Sequence, residues 1–119
     1  MPGVENRKHI RIGVSVPVYY TALDDQGTTL SFSMGVVRDI SQGGVALEVY
    51  SEPDSEWISL SFVDVSGNTL EIRGKSVYSR ETEPGKFMAG VMLLGSPAEK
   101  IGFVKELVRF HHYTKRSIN

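Results

Sequence analysis

The chain is expected to be mainly β, a six-stranded antiparallel β-barrel followed by a C-terminal α-helix. Three observations predict this. Apolar and polar residues alternate over short stretches, as on strands with one buried face. Glycine- and aspartate-rich turns punctuate those stretches at near-regular spacing. The period changes to a helical one only after Ser96. At 119 residues the chain is long enough for one domain with one core. It divides into a basic arm over residues 1–12, a barrel over 13–95, and a helix and tail over 96–119.

The first strand is marked by Val14, Val16, Val18 and Tyr20 alternating with Ser15, Pro17, Tyr19 and Thr21. Asp24-Asp25-Gln26-Gly27 ends it, and a second strand from about Thr29 to Val37 returns as its hairpin partner. Gln42-Gly43-Gly44 precedes a third strand, Val45 to Tyr50, with Val45, Leu47 and Val49 on one face. The polar, proline-containing Ser51–Ser55 segment is a loop. A fourth strand runs from Trp57 to Val65, with Leu60 and Phe62 inward. Ser66-Gly67-Asn68 leads into Leu70, Ile72, Gly74, Ser76 and Val77, and Glu83-Pro84-Gly85 into a sixth strand, Phe87 to Leu94. Ser96-Pro97-Ala98-Glu99 has the form of a capping box with proline at the first helical position. Ile101, Val104, Leu107 and Val108 then share one helical face, widened by Phe103 and Phe110. That helix is expected to lid the barrel, and Phe103, Phe110 and Tyr113 also offer a surface for a dimer.

Composition excludes several functions. Without cysteine there is no disulfide framework, thiolate metal site or thiol nucleophile. His9, His111 and His112 are the only histidines, so neither a metal site nor a cofactor is expected. No apolar run approaches the ~20 residues needed to span a membrane, and no secretory leader is evident; a soluble, cytoplasmic protein is expected. The net charge of −1 argues against a DNA or RNA binder. It conceals a basic start with Arg7, Lys8 and Arg11, while Glu52, Asp54 and Glu56 cluster mid-chain. No nucleophile elbow, phosphate-binding loop or dinucleotide fingerprint occurs, so an enzyme is not expected.

Two short patterns carry the functional signal. Arg7-Lys8-His9-Ile10-Arg11 is an Arg-x-x-x-Arg just ahead of the first strand. Asp39-Ile40-Ser41-Gln42-Gly43-Gly44 is an Asp-x-Ser-x-x-Gly, expected at the turn between strands two and three. Arginine can fork onto phosphate or pair bidentately with guanine O6 and N7. A carboxylate such as Asp39 can accept from guanine N–H groups or hold an arginine in place.

With these two motifs, in this order and strand context, the sequence resembles the PilZ domain family of bacterial cyclic di-GMP receptors. Phe87-Met88-Ala89-Gly90-Val91 is similar to that family's late strand. The resemblance implies a PilZ-like split barrel and cyclic di-GMP held by Arg7, Arg11, Asp39, Ser41 and Gly44; Lys8, Arg38 and Gly43 are neighbours in a position to add contacts, which the motif itself does not specify. Gly44, lacking a Cβ, would permit positive φ and close approach of the backbone. The implied role is a receptor that orders its basic arm on binding and passes the change to an unidentified protein effector, as monomer or homodimer. Motility, exopolysaccharide synthesis and biofilm formation are processes that such receptors serve. The alternative is a ligand-independent adaptor with the same barrel.

Overall fold

The computed structural model describes residues 11–117, so Arg7 and Lys8 lie outside the described residues. Six antiparallel strands, β1 (Ile12–Leu23), β2 (Thr29–Ser41), β3 (Gly44–Val49), β4 (Trp57–Val63), β5 (Thr69–Glu83) and β6 (Lys86–Leu93), are followed by one helix, α1 (Pro97–Ser117). They close into a ring in the order β1-β2-β3-β6-β5-β4. The mainly β class with a C-terminal helix is therefore the observed one.

The ring is complete only through the middle of its strands. β4 pairs with β1 over Tyr19–Leu23 and with β5 only as far as Lys75, and β3 pairs with β2 from Val36 onward. A strand edge is therefore left open in three places: β1 before Tyr19, β2 before Val36 and β5 beyond Lys75. On the outer face of β1–β2, Tyr19 stacks on Phe32 with ring centroids 5.4 Å apart, and both are exposed.

The period-two pattern of the first strand holds: Val14, Val16, Val18 and Tyr20 are all buried. Two strands run further than their alternation indicates. β2 continues through Ser41, and β5 runs to Glu83 with residues 77–83 exposed throughout. A segment wetted on both faces carries no alternating signal, so hydrophobic periodicity cannot find it.

Helix α1 closes one end of the barrel. Its capping box forms as expected: the Ser96 N–H donates to Glu99 Oε1 at 2.8 Å, and the Glu99 N–H donates to Ser96 Oγ at 3.1 Å. The first of these bonds holds the Glu99 carboxyl below its ordinary value. Phe103 and Leu107 are buried, and Phe103 and Phe110 meet Phe62 edge-on at 5.4 and 5.8 Å. Phe103 therefore belongs to the barrel core, and Phe110 packs against it, partly buried. Ile101, assigned to the buried face by its spacing, is 66% exposed. The helical face that packs on the barrel is Phe103, Val104, Leu107, Val108 and Phe110, and Ile101 lies outside that cluster, beside the β2–β3 turn. No helix among the described residues is long and apolar enough to cross a membrane.

On the outer wall, Glu48 of β3 is the centre of a polar network that reaches β2 and β6 directly and β1 and β5 through them. It is only 7% exposed, accepting from Arg38 Nε at 2.6 Å and facing Lys86 Nζ at 3.4 Å. Arg38 also donates to Ser15 Oγ at 3.0 Å, and Lys86 pairs with Glu83. The Arg38 hydrogen bond, aided by the charges of Arg38 and Lys86 and opposed by burial, pulls the Glu48 carboxyl below its ordinary 4.5. Glu48→Gln is expected to cost about 1–2 kcal/mol at pH 7, at the low end for charged hydrogen bonds because both cations are partly solvated. A depressed folded-state value stabilises the fold above the unfolded-state value and ceases to do so as pH falls through the folded one. The gap between urea melts of the two proteins should therefore narrow progressively as the pH falls below 4.5; a gap constant with pH would refute the assignment.

Candidate ligand-binding site

Two bulges build the site by turning side chains outward. Strict alternation along β2 would point Val37 in, Arg38 out and Asp39 in. The β2–β3 register instead slips between Val37 and Asp39, so that Arg38 is an extra residue. Val37 and Ile40 both stay buried, and Arg38 and Asp39 both leave the core. A second slip, between Ser76 and Tyr78 in β5, makes Val77 the extra residue and sets Tyr78 outward. Bulges commonly re-aim side chains at functional sites.

Between them, one row of paired positions crosses the sheet: Asp39 opposite Ala46, Ala46 opposite Gly90, Gly90 opposite Tyr78. The two middle positions are small, so the row forms a trough with a carboxylate at one end and a phenol ring at the other. The Tyr78 ring leans across Gly90 so closely that a Cβ there would lie 2.1 Å from a ring carbon. The trough opens as a pocket of about 190 Å³ whose lining includes Arg11, Ser41, Gln42, Gly43, Gly44 and Met92 besides that row.

Arg11 reaches Asp39 with Nε at 2.8 Å and Nη2 at 2.6 Å from the same oxygen, Oδ2. Its side chain remains 64% exposed, and Oδ1 accepts nothing from the described residues. One carboxylate thus holds the guanidinium in place while leaving most of its donors to solvent. Such an exposed pair contributes about 0–1 kcal/mol to stability, so its value lies in pre-orienting the cation. Among the described residues lining the pocket, Arg11 is the cation and Asp39 the carboxylate.

Of the residues singled out in the sequence, Arg11, Asp39, Ser41, Gly43 and Gly44 come together around this pocket. Arg7 and Lys8 lie outside the described residues. Arg38 faces away, engaged by Glu48 and Ser15. The motif also sits differently on the chain than expected. Asp39 and Ser41 belong to β2 itself, and only Gln42 and Gly43 form the turn. The positive φ of 77° falls on Gly43, and Gly44 does not share it. Gly44 is required for close approach: a Cβ there would stand 2.7 Å from the Val91 carbonyl oxygen.

Tyr78, Ala46 and Met92 were not found from the sequence. The signal for Tyr78 was present, since glycine facing an aromatic across a strand pair is a recurrent arrangement in which the ring covers the missing side chain. Finding it required knowing the β5 bulge. Among the described residues no group of three or more His, Asp or Glu side chains converges as metal ligands would.

No curated protein is a detectable match. The family model of the PilZ domain, in contrast, matches residues 5–110. That span takes in the segment ahead of β1, the whole barrel and most of α1, and the chain belongs to the PilZ domain family.

Proposed function

We propose that the chain is a receptor for cyclic di-GMP, taking the dinucleotide in the trough between Arg11–Asp39 and Tyr78. The observation that carries this reading is the pre-oriented Arg11 guanidinium, fixed at one end of a trough floored by Ala46 and Gly90 with an aromatic ring at the other. Arginine supplies a fork for phosphate or for guanine O6 and N7. Asp39 Oδ1 and Ser41 Oγ are hydrogen-bonding partners for a guanine edge, and Tyr78 offers a face on which a base can stack.

A pocket of about 190 Å³ is too small to enclose a cyclic dinucleotide. The exposed remainder of the ligand is available to the segment that carries Arg7 and Lys8. Closure of that segment over the bound ligand is the proposed conformational signal, read by a protein partner. Its extent is limited by the difference in ligand affinity between the two conformations.

Calorimetric titration tests the reading. Cyclic di-GMP should bind the wild-type chain at micromolar concentration or tighter, and Tyr78→Ala should weaken it by about 5- to 150-fold, the range for loss of one stacked base. Absence of heat, together with no thermal stabilisation at millimolar ligand, would overturn the proposal and favour the ligand-independent adaptor.

A further inference from the structure

A second concavity lies directly behind the ligand turn. It runs between α1 and the β2–β3 turn, has a volume of about 370 Å³, and is lined by Ser41, Gln42, Gly43, Leu93, Lys100, Ile101, Val104 and Lys105. Leu93 is buried at its floor, while Ile101 and Val104 form the helical wall. Ile101 is the residue that the barrel core does not use. Lys100 and Lys105 stand on the rim, and neither has a carboxylate partner among the described residues.

We infer that this groove docks an apolar segment of a protein partner whose flanking carboxylates meet Lys100 and Lys105. Three physical points select that occupant. The groove lacks the convergent buried polar groups that orient a small molecule. A second copy docked by two-fold symmetry would bring the same lysine-rimmed patch against itself, at a like-charge cost. A membrane would be met by an apolar surface that protrudes, whereas this one is recessed between helix and turn. Residues 100, 101, 104 and 105 occupy successive turns on one side of α1, the spacing at which a short amphipathic segment can be gripped.

The groove and the trough share Ser41, Gln42 and Gly43, one turn with a face in each. The Gly43 carbonyl also accepts the Leu93 N–H at 2.9 Å, tying the turn to the groove floor. A ligand that displaces or stiffens this turn therefore alters the wall against which the partner packs. This regulatory half rests on the cyclic di-GMP reading above, whereas the docking half stands independently.

The test is a random short-peptide display library selected on the wild-type chain and depleted on Ile101→Asp, a change at an exposed position that the fold should accept. Enriched peptides, synthesised with a fluorescent label, are then measured by anisotropy. Acidic peptides with paired apolar residues should emerge and bind at least about tenfold more weakly to the Lys100→Glu/Lys105→Glu double variant. Saturating cyclic di-GMP should change their affinity severalfold, while Ile101→Asp keeps its nucleotide affinity by calorimetry. The docking assignment is overturned by enrichment of basic peptides, by no enrichment, by indifference to Ile101→Asp, or by stronger retention on phosphatidylglycerol vesicles. It is equally overturned if the variant changes only sedimentation of the free chain. Peptides that bind as expected but ignore bound nucleotide overturn the regulatory half alone. If calorimetry shows no nucleotide bound, the receptor reading has failed and the peptide data still judge the groove.

Discussion

Arg11→Ala is expected to weaken cyclic di-GMP binding by about 30- to 150-fold while leaving the melting temperature of the free chain essentially unchanged. The two effects separate because Arg11 has different environments in the two states. In the free protein its guanidinium is mostly in water, and its pair with Asp39 contributes about 0–1 kcal/mol. Under a bound dinucleotide the same group would be desolvated against phosphate or guanine, where truncating a charged partner costs about 2–3 kcal/mol, at the low end of the range for buried charge pairs. Arg11→Lys should recover little, since it restores the charge without the fork. Asp39→Asn should fall between wild type and Arg11→Ala if the carboxylate mainly orients Arg11, and the double variant should then be no worse than Arg11→Ala alone. Calorimetry beside thermal melts provides both readouts. Full affinity in Arg11→Ala, or an equal loss of stability and binding, would contradict the site.

Leu107→Ala is expected to produce the largest loss of stability, about 2–5 kcal/mol. Leu107 is 0% exposed and lies on the helix between Phe103 and Phe110, whose rings both meet Phe62 edge-on. With both rings held edge-on, the wall has little freedom to collapse into the space left behind, which favours the upper part of that range. In a domain whose total stability is about 5–15 kcal/mol, such a loss should lower the melting temperature by roughly 8–20 °C. Ile101→Ala, one and a half turns away but exposed, should remain within about 0.5 kcal/mol of wild type. Denaturant melts of the pair decide the matter: similar losses would mean that α1 is not anchored through the Phe103–Leu107–Phe110 stripe.

Local patterns were legible wherever neighbouring residues alone decide the structure. The alternation from Val14 to Tyr20 identified a strand and its buried face, and Ser96 with Glu99 identified the helix start through bonds closing within one turn. Arg11, Asp39, Ser41 and Gly44 were legible as a motif because chemistry and order occur together. The two bulges were not, because a bulge is a relation between two strands. One extra residue at Arg38 or Val77 leaves no trace in its own strand and yet decides that Asp39 and Tyr78 face outward. The roles of Gly43 and Gly44 were likewise settled only by the hairpin, which assigns positive φ to one and the Val91 contact to the other. Ile101 was misplaced because several phases of α1 present an apolar stripe, and only the position of Phe62 chooses among them.

The incomplete pairing of the ring has a further consequence, for solubility in concentrated solution. Each open stretch leaves backbone donors and acceptors unpaired along a strand edge, a template for a neighbouring molecule. On β1, Pro17 has no N–H to offer and the Ser15 N–H is taken by His111 Nδ1 at 3.1 Å. Along β5, Arg80, Glu81 and Glu83 place charge where another strand would approach. The Thr29–Gly35 half of β2 has neither safeguard, and Leu30, Phe32 and Met34 are exposed there. Aggregation by strand pairing is therefore directed to one stretch of one hairpin, where a single lysine in place of Phe32 would act as a gatekeeper.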